Sequence, residues 1–546
     1  MSKQILHGIQ AQQALLKGVS TVADAVKGTI GPRGRNVIFD KGYGVPTITN
    51  DGVSVAKEII LADTIENMGA SIIKEVAVKT NDTAGDGTTT SIILCNAIIT
   101  EGMKYIAKGA NGILVRQGIE QATQDATNIL ATLARTVNDP NEIKQVATIS
   151  AESEELGIII AETIQTIGTD GVVTVEESHG VGVTSTVTSG MKFEGGYVTH
   201  HLVTDKERME AVHTNVAVLV TEGKLSSIQD IVPLMEKLAA SGKKELIVIA
   251  EDIEGEALGT IILNKMKGIF TVLAIKAPGF AERKRGEIED IAVSVGATIV
   301  TSALSVALQT GDMSVLGTAE KVVSTKDSTI ITGGAAKKSV LDTHIQAIKT
   351  QITMVGDSKL DAFTKVHLQK RIARLSNGIA VIKVSAPTES EMRYLKLKIE
   401  DAVHATKAAI EEGIVAGGGT ALTKVSALLQ KNVTDKTDYM RGYQILLDAL
   451  VCPLQQIILN TGNTNAKNIV TMVHNTSAEL GFDATTDPSL KTIQLVDMIS
   501  HGIIDPVKVT RTALQNAASA AGILLTTDVA IADDEETVKR KLDKEE

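Results

Sequence analysis

The residue types best able to do chemistry are gathered in one stretch, Asn81-Asp82-Thr83-Ala84-Gly85-Asp86-Gly87-Thr88-Thr89-Thr90. Gly85 and Gly87 let the backbone turn tightly and come close to a ligand. Thr88, Thr89 and Thr90 stand where a helix would begin, so unpaired backbone N–H groups and hydroxyls converge there. A helix start carries partial positive charge and accepts phosphate. Asp86, beside those donors, is suited to a hard cation such as Mg²⁺ that bridges to phosphate oxygens. The same residues also read as a plain helix start after a glycine turn, and spacing alone leaves both readings open.

The flanking elements must aim this stretch. Ile65, Met68, Ile72 and Val76 recur at helical spacing before it, and Ile92, Ile93, Ile99, Met103 and Ile106 after it. Residues 9–29 read as a helix stopped by Gly31-Pro32. Val37-Ile38-Phe39-Asp40 and Pro46-Thr47-Ile48-Thr49 read as strands around the turn Lys41-Gly42-Tyr43-Gly44. Asn50-Asp51-Gly52 leads into another helix, and residues 60–135 are helix-rich. A mixed stretch follows, with a strand at Val172-Val173-Thr174-Val175 and a flexible, hinge-like Gly190.

From 190 to 379 strands and helices alternate: Val216 to Val220, Ser226 to Ala240, Leu246 to Ala250, Glu254 to Lys267, Thr271 to Lys276. That rhythm predicts a parallel sheet flanked by helices. The two helices are too apolar for one buried face. Leu258, Ile261, Ile262, Leu263 and Met266 span roughly 200° of one, against the usual stripe of about 100°. The other carries Ile228, Ile231, Val232, Leu234, Met235 and Leu238. Such excess marks either a binding surface or a helix sandwiched between two layers. The chain then returns to helix, with Ala416-Gly417-Gly418-Gly419-Thr420 opening one element and Ser500-His501-Gly502-Ile503-Ile504-Asp505-Pro506 preceding the last long helix. A short strand after Leu525 leads into a charged, mobile end.

Composition narrows the class. A chain of 546 residues must divide into several domains. Aromatics make up only 2%, with no Trp, so the cores are aliphatic. A net charge of −11 argues against a nucleic-acid partner. Cys95 and Cys452 sit in apolar runs, as reduced core residues of a cytoplasmic protein would. No apolar segment reads as membrane-spanning, and the first residues lack a signal-peptide core, so no membrane partner and no leader are expected.

Asp86-Gly87-Thr88-Thr89-Thr90, with Thr29-Ile30-Gly31-Pro32 upstream and Ala416-Gly417-Gly418-Gly419 downstream, resembles the group I chaperonins, the GroEL type. The resemblance runs from about residue 3 to about residue 530. It is carried in order by Gly31-Pro32-Arg33-Gly34-Arg35-Asn36-Val37, Asp51-Gly52-Val53-Ser54-Val55-Ala56-Lys57-Glu58, Ile249-Ala250-Glu251-Asp252-Ile253-Glu254-Gly255-Glu256-Ala257-Leu258 and Lys276-Ala277-Pro278-Gly279-Phe280.

The resemblance implies a multidomain α and α/β fold. Residues 1–132 and 412–530 would form a helical equatorial domain, 133–189 and 380–411 a small α+β intermediate domain, and 190–379 an α/β apical domain, with 531–546 as the charged tail. It implies an ATPase that folds proteins. ATP and Mg²⁺, with K⁺ as a further ion, would bind at Thr29, Ile30, Gly31, Pro32, Asn50, Asp86, Gly87, Thr88, Thr89, Thr90, Gly418, Asp483, Ala484, Thr485 and Asp505. Asp86 would hold the metal and Asp505 a ribose hydroxyl. Asp51 and Asp401 would act on the terminal phosphate, one carboxylate orienting or deprotonating the attacking water. Unfolded polypeptides would bind at Tyr197, His201, Leu202, Val232, Met235, Leu258, Ile262 and Leu263, through non-directional apolar contacts. The implied assembly is a homo-oligomer of back-to-back heptameric rings with a GroES-type co-chaperonin.

Departures from the family pattern fall at informative places. His200-His201-Leu202 stands where an aromatic pair is common, Asn50 replaces a lysine, and Asp483 and Thr485 replace Asn and Ala. Gly195 replaces an arginine that would pair with a neighbouring subunit's acid, and the usual Gly-Gly-Met tail is missing. A non-cycling paralogue that holds apolar chains without efficient hydrolysis is the alternative. An unrelated nucleotide enzyme is disfavoured, since there is no P-loop signature and no metal-spaced Cys/His cluster; His200-His201 and Arg283-Lys284-Arg285 read as ordinary surface.

Overall fold

The computed structural model describes residues 3–533 except 41–45, 138, 169–170, 179–181, 207, 280–281, 302–307, 309, 355–358, 377, 478 and 487–493. The turn at 41–44, Phe280 and the charged end from 534 lie outside the described residues. The chain forms two compact units: Met1–Glu162 with Glu177–Val183 and Val384–Glu546, and Thr163–Glu176 with Thr184–Lys383.

The first unit is helical because its apolar residues recur at helical spacing and its helices start on side-chain caps. Asp51, Asp63 and Asn111 each accept backbone N–H bonds at the starts of the helices Gly52–Glu58, Thr64–Ala84 and Gly112–Leu133. With few aromatics to fill space, the helices pack closely through glycines. A Cβ at Gly18 would lie 1.8 Å from the Glu66 carbonyl, and one at Gly69 would lie 2.1 Å from that of Leu15. The helices Gly8–Val26 and Thr64–Ala84 therefore touch backbone to backbone. Gly118 and Gly442 do the same for Gly112–Leu133 and Asp438–Leu450, against the carbonyls of Tyr439 and Val115. Val19, Ile73, Ile98, Ile119, Leu446 and Leu514 are among the fully buried side chains of the shared core.

Two-stranded ribbons complete this unit. Lys3–His7 pairs antiparallel with Val529–Asp533, so Ile531 to Asp533 belong to a strand, and Val37–Phe39 pairs with Thr47–Thr49. The segment Asp438–Asn460 is long and apolar enough by composition to cross a membrane, a length the sequence reading overlooked. Most of it is buried, and Tyr443, Leu446 and Leu450 are core residues.

The second unit holds a six-stranded sheet in the order Gly190–Glu194, Ser328–Gly334, Gly317–Ser324, Ala211–Val220, Glu245–Ala250, Thr271–Lys276. The last three run parallel, as alternation with helices predicts, but each of the first four is antiparallel to its neighbour among them. The sheet is therefore mixed. The reason lies in the Thr325–Ser328 turn, where Thr325 N–H donates to the Ser328 carbonyl at 2.8 Å; a turn this tight joins only antiparallel strands. Gly190 pairs with Thr332, and a Cβ there would lie 2.3 Å from the Ile331 carbonyl, so this position is a closely packed strand residue. The expected helix over 226–240 is a 3-10 turn, Ile228–Asp230, followed by a helix at Val232–Ala240 with Pro233 in its first turn. A smaller sheet has the strand order Val172–Glu177, Ile379–Val384, Val183–Thr188.

Candidate functional site

The loop at 85–87 is fixed by what it cannot accommodate. Gly85 ends the Thr64–Ala84 helix at φ 70°, and Gly87, at φ 80°, starts Thr88–Ile106. A Cβ at Gly85 would lie 2.1 Å from that of His404, and one at Gly87 would lie 2.6 Å from Val509 Cγ1. The loop is thus wedged between the helices Glu389–Glu412 and Val507–Leu525. As helix cap, Gly87 brings no side chain to the first-turn N–H groups, which keeps them available to an anion.

Asp51 joins this helix start from another element. Its carboxylate accepts from Val53 N at 3.2 Å, Ser54 N at 3.0 Å and Ser54 Oγ at 2.6 Å, and lies 3.5 Å from Thr88 Oγ1. It is thus a helix cap as well as a site carboxylate. A Cβ at Gly52 would lie 2.4 Å from Thr89 Oγ1, so Gly52 allows the threonine helix to come this close. Thr29 Oγ1 stands 3.2 Å from Thr89 Oγ1.

Asp86 accepts from Gly87 N at 2.5 Å and from Ser150 Oγ at 3.3 Å. Burial raises its proton affinity, opposed by those bonds and by Lys398. Asp401 is raised well above the usual carboxylate range, first by burial and then by the charges of Asp51 and Asp86. Lys398, three residues before Asp401 on the same helix, is the cation that opposes both shifts, and it donates to Glu152 at 2.8 Å. Among the described residues no three acids, histidines or cysteines enclose an ion unaided. Mg²⁺ takes only one or two carboxylates and fills its remaining positions with phosphate oxygens and water. The excess of buried negative charge around Asp86 fits that ion.

A second wall comes from the chain's last third. Asp505 pairs with Val415, across from the loop that carries Gly418 (φ 62°) and Gly419 (φ 76°). Burial first, then the Asp86 charge, pushes the Asp505 carboxyl up to about 7, against the backbone N–H groups of Gly418 and Gly419 that donate to it. Thr420 Oγ1, fully buried at the start of Thr420–Leu429, has no hydrogen-bond partner among the described residues. A Cβ at Gly481 would lie 2.3 Å from that oxygen. Asp483 folds its own turn, accepting from Thr485 N at 2.9 Å and Thr485 Oγ1 at 2.6 Å. Arg33 donates to the carbonyls of Ala484, Thr485 and Thr486 at 3.2 to 3.3 Å. Asn460 donates to the Ile30 carbonyl at 2.9 Å, and Ile30 packs on the cluster containing Phe482 and Ala484. Gly31 (φ 85°) lies against Ile457, Pro32 is exposed, and Asn50 and Thr90 are half-buried.

These contacts tie Thr29 to Thr89, Thr88 to Asp51, Ile30 to the cluster holding Ala484, and Asp505 to Gly418, with the Asp86 charge felt at Asp505. Lys398, Ser150, Ser54 and Arg33 were missed from sequence. Lys398 had a signal, one helical turn before Asp401; Ser150 had none.

The proposed capture residues in the second unit divide by burial. Tyr197, Leu202 and Met235 belong to the sheet core. Val232, Leu258 and Ile262 are half-buried, while His201 and Leu263 are exposed. The unpartnered apolar surface runs along Leu263, Met266 and Ile269, which are 54%, 79% and 58% exposed. Lys265 Nζ donates to the carbonyls of His201 and Val203 at 3.1 and 2.9 Å, tying the His200–His201 turn to this helix. A Cβ at Gly195 would lie 2.3 Å from the Lys276 carbonyl, so the arginine common at that position has no room here.

Comparison with known families decides the class. The TCP-1/cpn60 chaperonin family model matches residues 22–535. The chain belongs to the TCP-1/cpn60 chaperonin family. Among solved structures, this chaperonin is similar to the chaperonin gp146 from the bacteriophage EL 2 (Pseudomonas aeruginosa), determined in the presence of ATP-BeFx. The TM-score is 0.66 at 22% identity, covering 97% of this chain and 99% of that one. The two share helical and α/β architecture over nearly their whole lengths.

Proposed function

We propose that this chaperonin binds Mg-ATP in its helical unit, hydrolyses it, and uses the cycle to capture and release non-native polypeptides from the apolar face of its α/β unit. The observation that carries the reading is the convergence of Asp51, Asp86 and Asp401 beside the open helix start at Thr88. The glycines and threonines at 29–32 and 87–90 receive phosphate oxygens through N–H and O–H donors. Asp86 holds Mg²⁺, which supplies charge neutralisation to the phosphates. Asp505 accepts from a ribose hydroxyl beside Gly418. Asp401 takes a proton from the attacking water once the charge of Asp51 and Asp86, which favours its neutral form, is offset so that it ionises. Residues 133–189 and 380–411 serve as the intermediate domain. Leu263, Met266, Leu258 and Ile262 take up exposed apolar side chains of unfolded proteins. The working form is a ring homo-oligomer, heptameric and back to back, with a GroES-type lid, K⁺ as a second ion and the cytoplasm as its place.

One observation favours a second reading. With Asp401 pushed toward its neutral form, a chain that failed to offset the charge would bind nucleotide without turning it over, and would hold polypeptides passively. Phosphate release and nucleotide binding, measured on one preparation with Mg²⁺, separate the two. Binding with turnover supports the cycling machine, binding without turnover the passive holder, and no binding rejects both.

A further inference from the structure

Lys424 is a buried lysine with no acid beside it among the described residues. It lies one turn into the Thr420–Leu429 helix, is 3% exposed, and forms no salt bridge among the described residues. Its ammonium donates to the Val473 carbonyl, to the Thr476 carbonyl at 3.0 Å and to Thr476 Oγ1 at 2.7 Å. All three ammonium hydrogens are thereby used. The acceptors stand at and just beyond the C-terminal end of the Ala466–His474 helix, where a positive charge is favoured. An uncompensated buried ammonium is costly, and burial lowers its pKa to about 8. Helix capping alone does not require it, because an exposed residue would cap as well.

The position of this bond shows what it secures. Gly418, Gly419 and Thr420 lie within about two turns before Lys424, and Gly418 and Gly419 donate to Asp505. After Thr476 the chain reaches Gly481, whose missing Cβ lets it sit against Thr420 Oγ1, and then Asp483, Ala484 and Thr485. We infer that Lys424 is a positioning residue for the nucleotide site, pinning the chain at Thr476, and through it residues 479–486, to the start of the Thr420–Leu429 helix so that the Asp505–Gly418 side and the Asp483–Thr485 side keep one spacing. Arg33, which donates to the carbonyls of residues 484–486, holds the far end of the same segment. This inference rests on ATP binding at that site.

The test is steady-state ATP hydrolysis and equilibrium ATP binding by the full-length assembly for wild type, Lys424→Met, Lys424→Gln and Lys424→Arg. The Met and Gln variants should raise the ATP KM and Kd about tenfold with kcat within about twofold, and the Arg variant, which keeps the charge, should recover most of the loss. Amide exchange over 479–486 under saturating ATP should quicken in Met and Gln and not in Arg. An unchanged KM in a folded Met or Gln variant, equal KM values for Gln and Arg, or a fall confined to kcat overturns the inference. Should the Met variant not fold, the Gln–Arg pair gives the same decision. A wild-type chain that binds no ATP overturns instead the reading on which the inference stands.

Discussion

The hydroxyls of Thr29 and Thr89 stand 3.2 Å apart across a separation of 60 residues. That contact joins the end of the first long helix to the first turn of the Thr88–Ile106 helix, with Asp51 beside Thr88. It makes one site of residues that the sequence presents as separate blocks, and the site's behaviour follows from how its carboxylates are placed.

Asp401→Ala should separate binding from chemistry. Removing the half-buried carboxylate removes the base but leaves the threonine and glycine donors, so hydrolysis should fall on the order of 10²–10⁴-fold while ATP affinity stays within a few-fold. Phosphate release and fluorescent-nucleotide titration measure the two. A parallel loss of affinity would place Asp401 in binding and not in the proton transfer.

Asp505 should make the ligand-free protein less stable as pH rises. Below about pH 4 its carboxyl is protonated in both folded and unfolded chains. Above that the unfolded chain ionises first, while the folded carboxyl holds its proton to about 7. Stability therefore declines by about 1.4 kcal/mol per pH unit across that window, and the loss is complete above it. Asp505→Asn should flatten this slope. Urea unfolding of both proteins at pH 5 and pH 8 reads it; identical slopes would mean that Asp505 ionises normally.

The apolar face and the core beneath it should respond differently. Leu263→Glu with Met266→Glu alters exposed residues, so capture of a denatured test protein should fail while ATP hydrolysis and thermal stability persist. Leu202→Ala or Met235→Ala removes core volume and should cost about 2–5 kcal/mol in unfolding experiments. Capture lost in the second pair with full stability would show that those buried side chains become exposed to clients.

Gly195→Arg should fail to restore the family's usual residue. The new Cβ meets the Lys276 carbonyl, so the substitution should destabilise the α/β unit by about 1–3 kcal/mol. A variant as stable as wild type would show that this strand end shifts readily.

Part of the site was legible because its residue types are locally unusual. Two glycines in left-handed geometry around Asp86 draw notice by their spacing, but that spacing fits a plain helix start equally well, and Asp51, Asp401, Asp483 and Asp505 come to the site only through the family resemblance. The mixed sheet was not legible, because the antiparallel half depends on strand pairing at long range and on a turn made by ordinary Thr, Lys, Asp and Ser residues. Helical periodicity shows that Met235 and Leu263 are both apolar, yet only packing shows that one is covered and the other open. Lys398 and Lys424 escaped notice because a lysine in a helix is usually solvated, and their partners lie far along the chain or at a helix end.

The central claim is tested most directly by phosphate release from ATP, with and without Mg²⁺, for wild type and Asp86→Asn in the same assay. The account predicts release that requires Mg²⁺ and is lost in the variant. Equal release by both proteins, or wild-type release indifferent to Mg²⁺, would contradict it.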